Sequence, residues 1–147
     1  MSYIHRENYT VRTAEINHFR RIHPHALIQL MQEASMQHTI GMKVSFWDLQ
    51  SMQGAWVLLK MEVNFFSLPS LNETITIETF PSGKEGYFTY RDYLVYDRLH
   101  NLCASASSQW ALMHTENRKM FRIPDEFGKL ICYTENQLPR PEFRLHP

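Results

Sequence analysis

Hydrophobic periodicity changes once along this chain, from helical to strand-like, near residue 54. Residues 24–40 are mostly good helix formers. Pro24 suits a first helical turn because its fixed φ fits there and its missing N–H would be unpaired anyway, and Gly41 is a common C-terminal stop. Apolar groups lie on more than one stripe of this helix, so we expect protein to wrap it on most sides.

Strand-like alternation dominates the rest of the chain. It is clearest in residues 55–66, where every odd position from 57 to 65 is apolar and polar groups stand at 60, 62 and 64. Pro69 and the segment 81–83 (Pro-Ser-Gly) predict turns. The other predicted strands cover residues 3–11, 73–80, 87–97 and 101–114.

A sheet has to bury one face, and the 24–40 helix is the one predicted element long enough to cover it. The pattern therefore predicts an α+β domain of the hotdog type, in which an antiparallel sheet of about five strands wraps around one long central helix. We expect residues 1–147 to form a single domain. Its core would be about residues 1–123, followed in 124–147 by a short helix and an extended, Pro-containing tail.

Charge and cysteine content exclude several classes of protein. Fifteen basic residues balance fifteen acidic ones, and no basic stripe marks a nucleic-acid surface. Cys103 and Cys132 form no CxxC pattern, and the first residues lack the apolar stretch of a signal peptide. No segment approaches the ~18 consecutive apolar residues of a membrane span. We expect a cytoplasmic protein that binds neither nucleic acid nor membrane.

Six segments carry a family resemblance. The helix contains QEASMQH at 32–38, which resembles the "QEAxxxH" run of plant and bacterial acyl-acyl-carrier-protein thioesterases. Five later segments are similar to that family in the same order: GAWVL at 54–58, LP with ETITIETFPSG at 68–83, YRDY at 90–93, SSQW at 107–110, and R with RIP at 118–124. The resemblance covers nearly the whole chain, but only the first of the family's two fused hotdog domains.

The resemblance implies an N-terminal hotdog domain in a single-domain version. It implies hydrolysis of a fatty acyl thioester carried by acyl carrier protein or coenzyme A, without a cofactor. In the two-domain enzymes the catalytic carboxylate, Asn and His lie in the second domain. A single domain would therefore work as a homodimer or higher homo-oligomer, with sites at the interface.

Thioester hydrolysis needs a base and a donor for the developing oxyanion. Glu33 is the candidate base, since burial in the helix would raise its pKa; alternatively it braces a loop or faces a dimer partner. Asn17 stands where related single-domain hotdog thioesterases carry a catalytic Asp, and could orient water or the carbonyl; alternatively it bonds within its loop. His38 is either catalytic beside Glu33 or a core histidine bonded to a backbone carbonyl.

Aromatic side chains are candidates for the acyl-binding wall. We assign Trp56 and Phe46 to substrate binding, although aromatic residues at strand spacing are more often core. His23 is the third candidate contact. A metal site is not predicted, because the side chains of His23 and His25, two apart on a helix, diverge by about 200°.

Two other functions remain open. The first is a non-catalytic acyl-binding or partner-binding hotdog domain. The second is a dehydratase acting on 3-hydroxyacyl thioesters, because residues 33–37 (EASMQ) resemble that family's "EAxAQ" helix. That family's "GHFPG" loop is missing from the sequence, so the dehydratase ranks last.

Overall fold

The computed structural model of the protein describes residues 4–131, which form a six-stranded sheet and a long α-helix. The helix α1 covers Pro24–Gly41. The strands are β1 (His5–Thr10), β2 (Gly54–Phe65), β3 (Thr74–Glu85), β4 (Phe88–Tyr96), β5 (Leu102–His114) and the short β6 (Met120–Phe121). Three 3-10 turns lie at Thr13–Glu15, Asp48–Met52 and Asp125–Leu130. The predicted Pro-containing tail and Cys132 lie outside the described residues.

The sheet has the order β1-β3-β4-β5-β2, and every neighbouring pair is antiparallel. β6 pairs with β5 and was not predicted, because a two-residue strand shows no period. α1 connects β1 and β2, the two ends of this order, and therefore crosses the sheet. The predicted antiparallel sheet with one main helix is confirmed.

The predicted turn at residues 81–83 is wrong. β3 continues through it to Glu85, with a bulge between Pro81 and Gly83 where it pairs with β4. A bulge tolerates proline, which cannot donate to the ladder, and leaves one extra residue unpaired. The hairpin turn follows instead at Gly86, whose φ of +61° is one that glycine adopts without strain.

The core lies between one face of α1 and the sheet. The buried helix residues pack against buried residues of β3, β4 and β5, including Ile75, Ile77, Tyr93, Val95, Ala104 and Ala106. The opposite face of the helix is open in residues 4–131, where Glu33 is exposed and Met36 and Ile40 are each 42% exposed. The expectation that protein wraps α1 on most sides is therefore wrong for the described part of the chain, because the sheet covers a single face.

Candidate functional site

An apolar cavity of about 320 Å³ lies between the C-terminal half of α1, the strands and the segment that follows the helix. This volume is at the lower end of the range for small-molecule pockets, roughly 300–1,000 Å³. Its lining residues are mostly apolar and include Met36, Met42, Val44, Phe46, Trp56, Trp110, Phe127 and Leu130. The cavity can therefore hold one slender apolar ligand.

Two tryptophans on the neighbouring strands β2 and β5 form part of the cavity wall. Trp56 in β2 donates its indole Nε1–H to the carbonyl oxygen of Val44 at 2.8 Å. Trp110 in β5 donates its own Nε1–H to Ser108 Oγ at 2.7 Å. These bonds fix both ring planes, and the Phe127 ring lies 6.0 Å from that of Trp56. The cavity wall is thus set by aromatic rings held in place by hydrogen bonds.

The structure brings two of the three predicted substrate contacts together. Trp56 and Phe46 both line the cavity. His23 does not; it is the residue before the first turn of α1, and its ring stacks on His25 with centroids 5.1 Å apart.

Asn17 shapes the loop before α1. Its Oδ1 accepts hydrogen bonds from the backbone N–H groups of Phe19 at 2.9 Å and Arg21 at 3.1 Å. This arrangement is an Asx-type turn, in which an asparagine side chain substitutes for a backbone acceptor. Asn17 is not among the residues that line the cavity.

Glu33 is exposed, so the expectation that it is buried in the helix is wrong. Its Oε1 accepts a hydrogen bond from Gln37 Nε2 at 3.0 Å, one turn further along α1. The carboxylate borders a second, more polar groove with Tyr9, Arg12 and Glu15. Glu33 is not among the residues that line the apolar cavity, although Met36, one turn further along α1, is.

Glu15 braces the loop rather than facing the cavity. It is buried, and its carboxylate accepts hydrogen bonds from the backbone N–H of Arg12 at 2.9 Å and from the Arg12 guanidinium at 3.0 and 3.2 Å. The guanidinium bond lowers the pKa of the Glu15 carboxyl. This carboxylate is therefore held as an anion by its own loop.

His38 lies in the core, 8% exposed, with its ring stacked on that of His5 at 5.2 Å. Its partner is a side chain of another element: the Arg91 guanidinium in β4 lies with Nη1 3.0 Å from His38 Nδ1. The expectation of a backbone carbonyl partner is wrong. Burial, followed by the charges of Arg91 and His5, lowers the pKa of His38 to about 3. The ring is therefore neutral at ordinary pH, and Nδ1 accepts from the guanidinium.

Arg91 is a cavity residue that the sequence reasoning did not single out. It is 7% exposed, lines the cavity, and also donates from Nη1 to Thr79 Oγ1 at 3.0 Å. Burial lowers its pKa to about 10, so the guanidinium stays positively charged at neutral pH. The signal was available, since an arginine on the inward-facing register of a buried strand is exceptional.

Asp92, the next residue of β4, is also fully buried. Its Oδ1 accepts hydrogen bonds from the hydroxyls of Ser82 and Ser107, each at 2.9 Å. Neighbouring residues of a strand point to opposite faces of the sheet. Asp92 therefore lies on the other face of the sheet from Arg91.

Among residues 4–131, no cluster of three or more His, Cys, Asp or Glu side chains is placed to hold a metal ion. Within the described range, no helix has the length and apolar character needed to cross a membrane.

Residues 2–131 match the acyl-ACP thioesterase N-terminal domain. The chain belongs to this family.

Curated relatives agree with the assignment. A chloroplastic acyl-acyl-carrier-protein hydrolase of Cuphea viscosissima is 29% identical over 87% of this chain and 33% of its own length. A chloroplastic oleoyl-acyl carrier protein thioesterase of Arabidopsis thaliana is 22% identical over 94% of this chain and 40% of its own length. The chain spans about a third of the length of the first of these relatives.

Solved structures confirm the hotdog fold. An acyl-ACP thioesterase from Bacteroides thetaiotaomicron superimposes with a TM-score of 0.89 at 19% identity, over 97% of this chain and 60% of that chain. The 12:0-ACP thioesterase from Umbellularia californica superimposes with a TM-score of 0.80 at 20% identity, over 99% of this chain and 62% of that chain. A Staphylococcus aureus protein in complex with CoA superimposes with a TM-score of 0.79 at 12% identity, over 94% of this chain and 96% of that chain. That protein is therefore a single unit of similar size.

Proposed function

We propose that this chain binds the acyl chain of a fatty acyl thioester in its cavity and takes part in hydrolysis of that thioester. The observation that carries the proposal is the apolar cavity between α1 and the sheet, walled by Trp56 and Trp110. Membership of the acyl-ACP thioesterase N-terminal domain family supports it. The relatives' names point to acyl carrier protein as the carrier, with coenzyme A as the other candidate.

The catalytic base is proposed to be Glu33, with Asn17 as an orienting group. Glu33 lies on the face of α1 that the described residues leave open, where a second hotdog unit could cover it. A second copy of this chain in a homodimer would supply such a unit, and burial by that copy would exclude water from the reaction. His38 fits a positioning role, because its neutral ring accepts from Arg91 and is buried.

The test of hydrolysis is turnover of octanoyl to palmitoyl thioesters of coenzyme A and acyl carrier protein, followed by a thiol reagent. Glu33→Gln removes the proposed base and should abolish turnover without changing the circular dichroism spectrum. Glu62→Gln is the matched control, since Glu62 is an exposed glutamate on β2. Full activity of Glu33→Gln would show that the base is another group.

One observation favours a second candidate, a non-catalytic acyl-binding domain. Within residues 4–131, the cavity lining contains no carboxylate, histidine or cysteine that could attack or activate water. Binding without turnover, detected by the fluorescence of Trp56 and Trp110, would support this candidate. Thr89→Phe, which fills the cavity from β4, should abolish that signal, whereas Thr74→Phe on the exposed part of β3 should leave it unchanged.

We propose a homodimer in the cytoplasm. The exposed apolar side chains of Met36 and Ile40 on α1 support an association surface on this face. Light scattering coupled to size exclusion tests the assembly. A monomer at every concentration would contradict the homodimer, and a shift to monomer in Ile40→Lys, at a residue that does not line the cavity, would locate the interface on α1.

A further inference from the structure

Among residues 4–131, one charged residue lines the apolar cavity. Arg91 is the charged member of the set of residues that line the cavity in the described part of the chain. Its side chain is more than nine-tenths buried, and its charge persists at neutral pH. A buried cation is costly unless an anion or several hydrogen bonds compensate it.

The protein compensates this cation only in part. A guanidinium has five N–H donors on three nitrogens. Within residues 4–131 the Arg91 side chain donates from Nη1, to His38 Nδ1 and to Thr79 Oγ1, and both partners are neutral. No described carboxylate lies within ion-pair distance of Arg91. The remaining donors belong to a charged group that borders the cavity.

We propose that Arg91 anchors the carboxylate of a free fatty acid in this cavity, with the apolar chain of the acid along the tryptophan wall. A planar guanidinium matches a carboxylate through two parallel hydrogen bonds, which are about twice as strong as neutral ones. A neutral alcohol or ester of the same length can accept only a weaker bond. The cavity therefore selects an anionic head group as well as an apolar chain.

The proposal rests on the proposed function in one respect, namely that an apolar chain occupies the cavity. A free fatty carboxylate is also what thioester hydrolysis would release: water adds to the acyl carbon, the carbon–sulfur bond breaks, the leaving sulfur takes one proton of the water to become the thiol, and the other proton goes to solvent as the carboxylate forms. Arg91 would then retain the product of the reaction and compete with a new acyl chain for the cavity. Binding itself requires no hydrolysis.

The experiment compares decanoate with 1-decanol, at concentrations below micelle formation and at a pH where the acid is ionised. Binding is followed by the fluorescence of Trp56 and Trp110, which line the cavity, and by calorimetry. The unmodified 147-residue chain should bind decanoate at least about tenfold more tightly than decanol. Equal affinities for decanoate and decanol would overturn the proposal but leave an acyl-binding cavity in place. If neither ligand binds, both the proposal and the assignment of the cavity to acyl binding are wrong.

Variants assign the preference to Arg91. Arg91→Met keeps the length of the side chain without its charge, and should bind decanol as before while losing the preference for decanoate. Arg91→Lys keeps the positive charge but lacks the planar guanidinium that makes two parallel hydrogen bonds, and should retain part of the preference. Lys129→Met, next to the cavity residue Leu130 but exposed, is the control and should keep the full ratio. A preference that persists in a folded Arg91→Met protein would overturn the proposal; if that variant does not fold, the ratios of the unmodified protein and Arg91→Lys decide.

Discussion

Acid should destabilise this fold through His38. Its Nδ1 lone pair accepts the Arg91 N–H at 3.0 Å, and its ring is 8% exposed. Protonation would remove the acceptor and place a second cation against the guanidinium in the core. The folded protein resists this proton, which is why the pKa of His38 falls to about 3 from an ordinary 6.5.

The magnitude follows from linkage between proton binding and folding. Between pH 6.5 and about 3 the unfolded chain holds this proton and the folded chain does not, so stability falls as the pH is lowered through that window and is unaffected by His38 above it. At about 1.4 kcal/mol per pKa unit, the whole window corresponds to at most about 5 kcal/mol. Relaxation of the protein around the charged ring reduces this to roughly 2–3 kcal/mol.

The assay is urea denaturation at neutral pH and at about pH 4.5, where more than half of the window has been crossed. His38→Asn keeps an acceptor for Arg91 in its amide oxygen but cannot titrate. We expect the unmodified protein to lose about 1.5–2.5 kcal/mol more than this variant between the two conditions. His18→Asn, at an exposed histidine, is the control. Identical losses for the unmodified protein and His38→Asn would refute the reasoning.

Three further substitutions test the hydrogen bonding of the core by urea denaturation. Tyr93→Phe removes a buried hydroxyl that has no hydrogen-bond partner in the described part of the chain. The free energy of unfolding should therefore stay constant or rise by about 1 kcal/mol. A clear fall would mean that the hydroxyl has a partner. Ser107→Ala removes a hydroxyl donor to the buried Asp92 carboxylate and should cost about 1–3 kcal/mol, and a neutral result would contradict that bond. Trp56→Phe removes the indole donor to the Val44 carbonyl and should lower the free energy of unfolding by about 1 kcal/mol. It should also weaken binding of an apolar ligand in the cavity, and unchanged binding would exclude Trp56 from the cavity wall that contacts the ligand.

The elements of the fold could be predicted because their signals are local. Pro24 and Gly41 bound the helix as predicted, since both act on the backbone at their own position. The alternation in residues 55–66 gave β2 to within one residue at each end. Pro81 misled the prediction because proline and glycine mark both turns and bulges, and the pairing with β4 decides between them.

The candidate site was predictable only in its apolar part. Trp56 and Phe46 were recognised as wall residues because large aromatic side chains seek burial whichever way the chain folds. Glu33 was expected to be buried, but its exposure depends on how α1 is rotated over the sheet. Several faces of the helix are apolar, so the sequence did not fix that rotation.

The sequence by itself determined the helix, the strands and the family motifs, because periodicity and turn chemistry are properties of residues close together in the chain. Only the tertiary structure decided which buried polar side chains come together. His38 and Arg91 stand 53 positions apart and meet because the long Arg91 side chain reaches from β4 past Thr79 of β3 to the helix. Such a contact depends on strand register and on helix rotation together, and neither is encoded in the pattern of any single element.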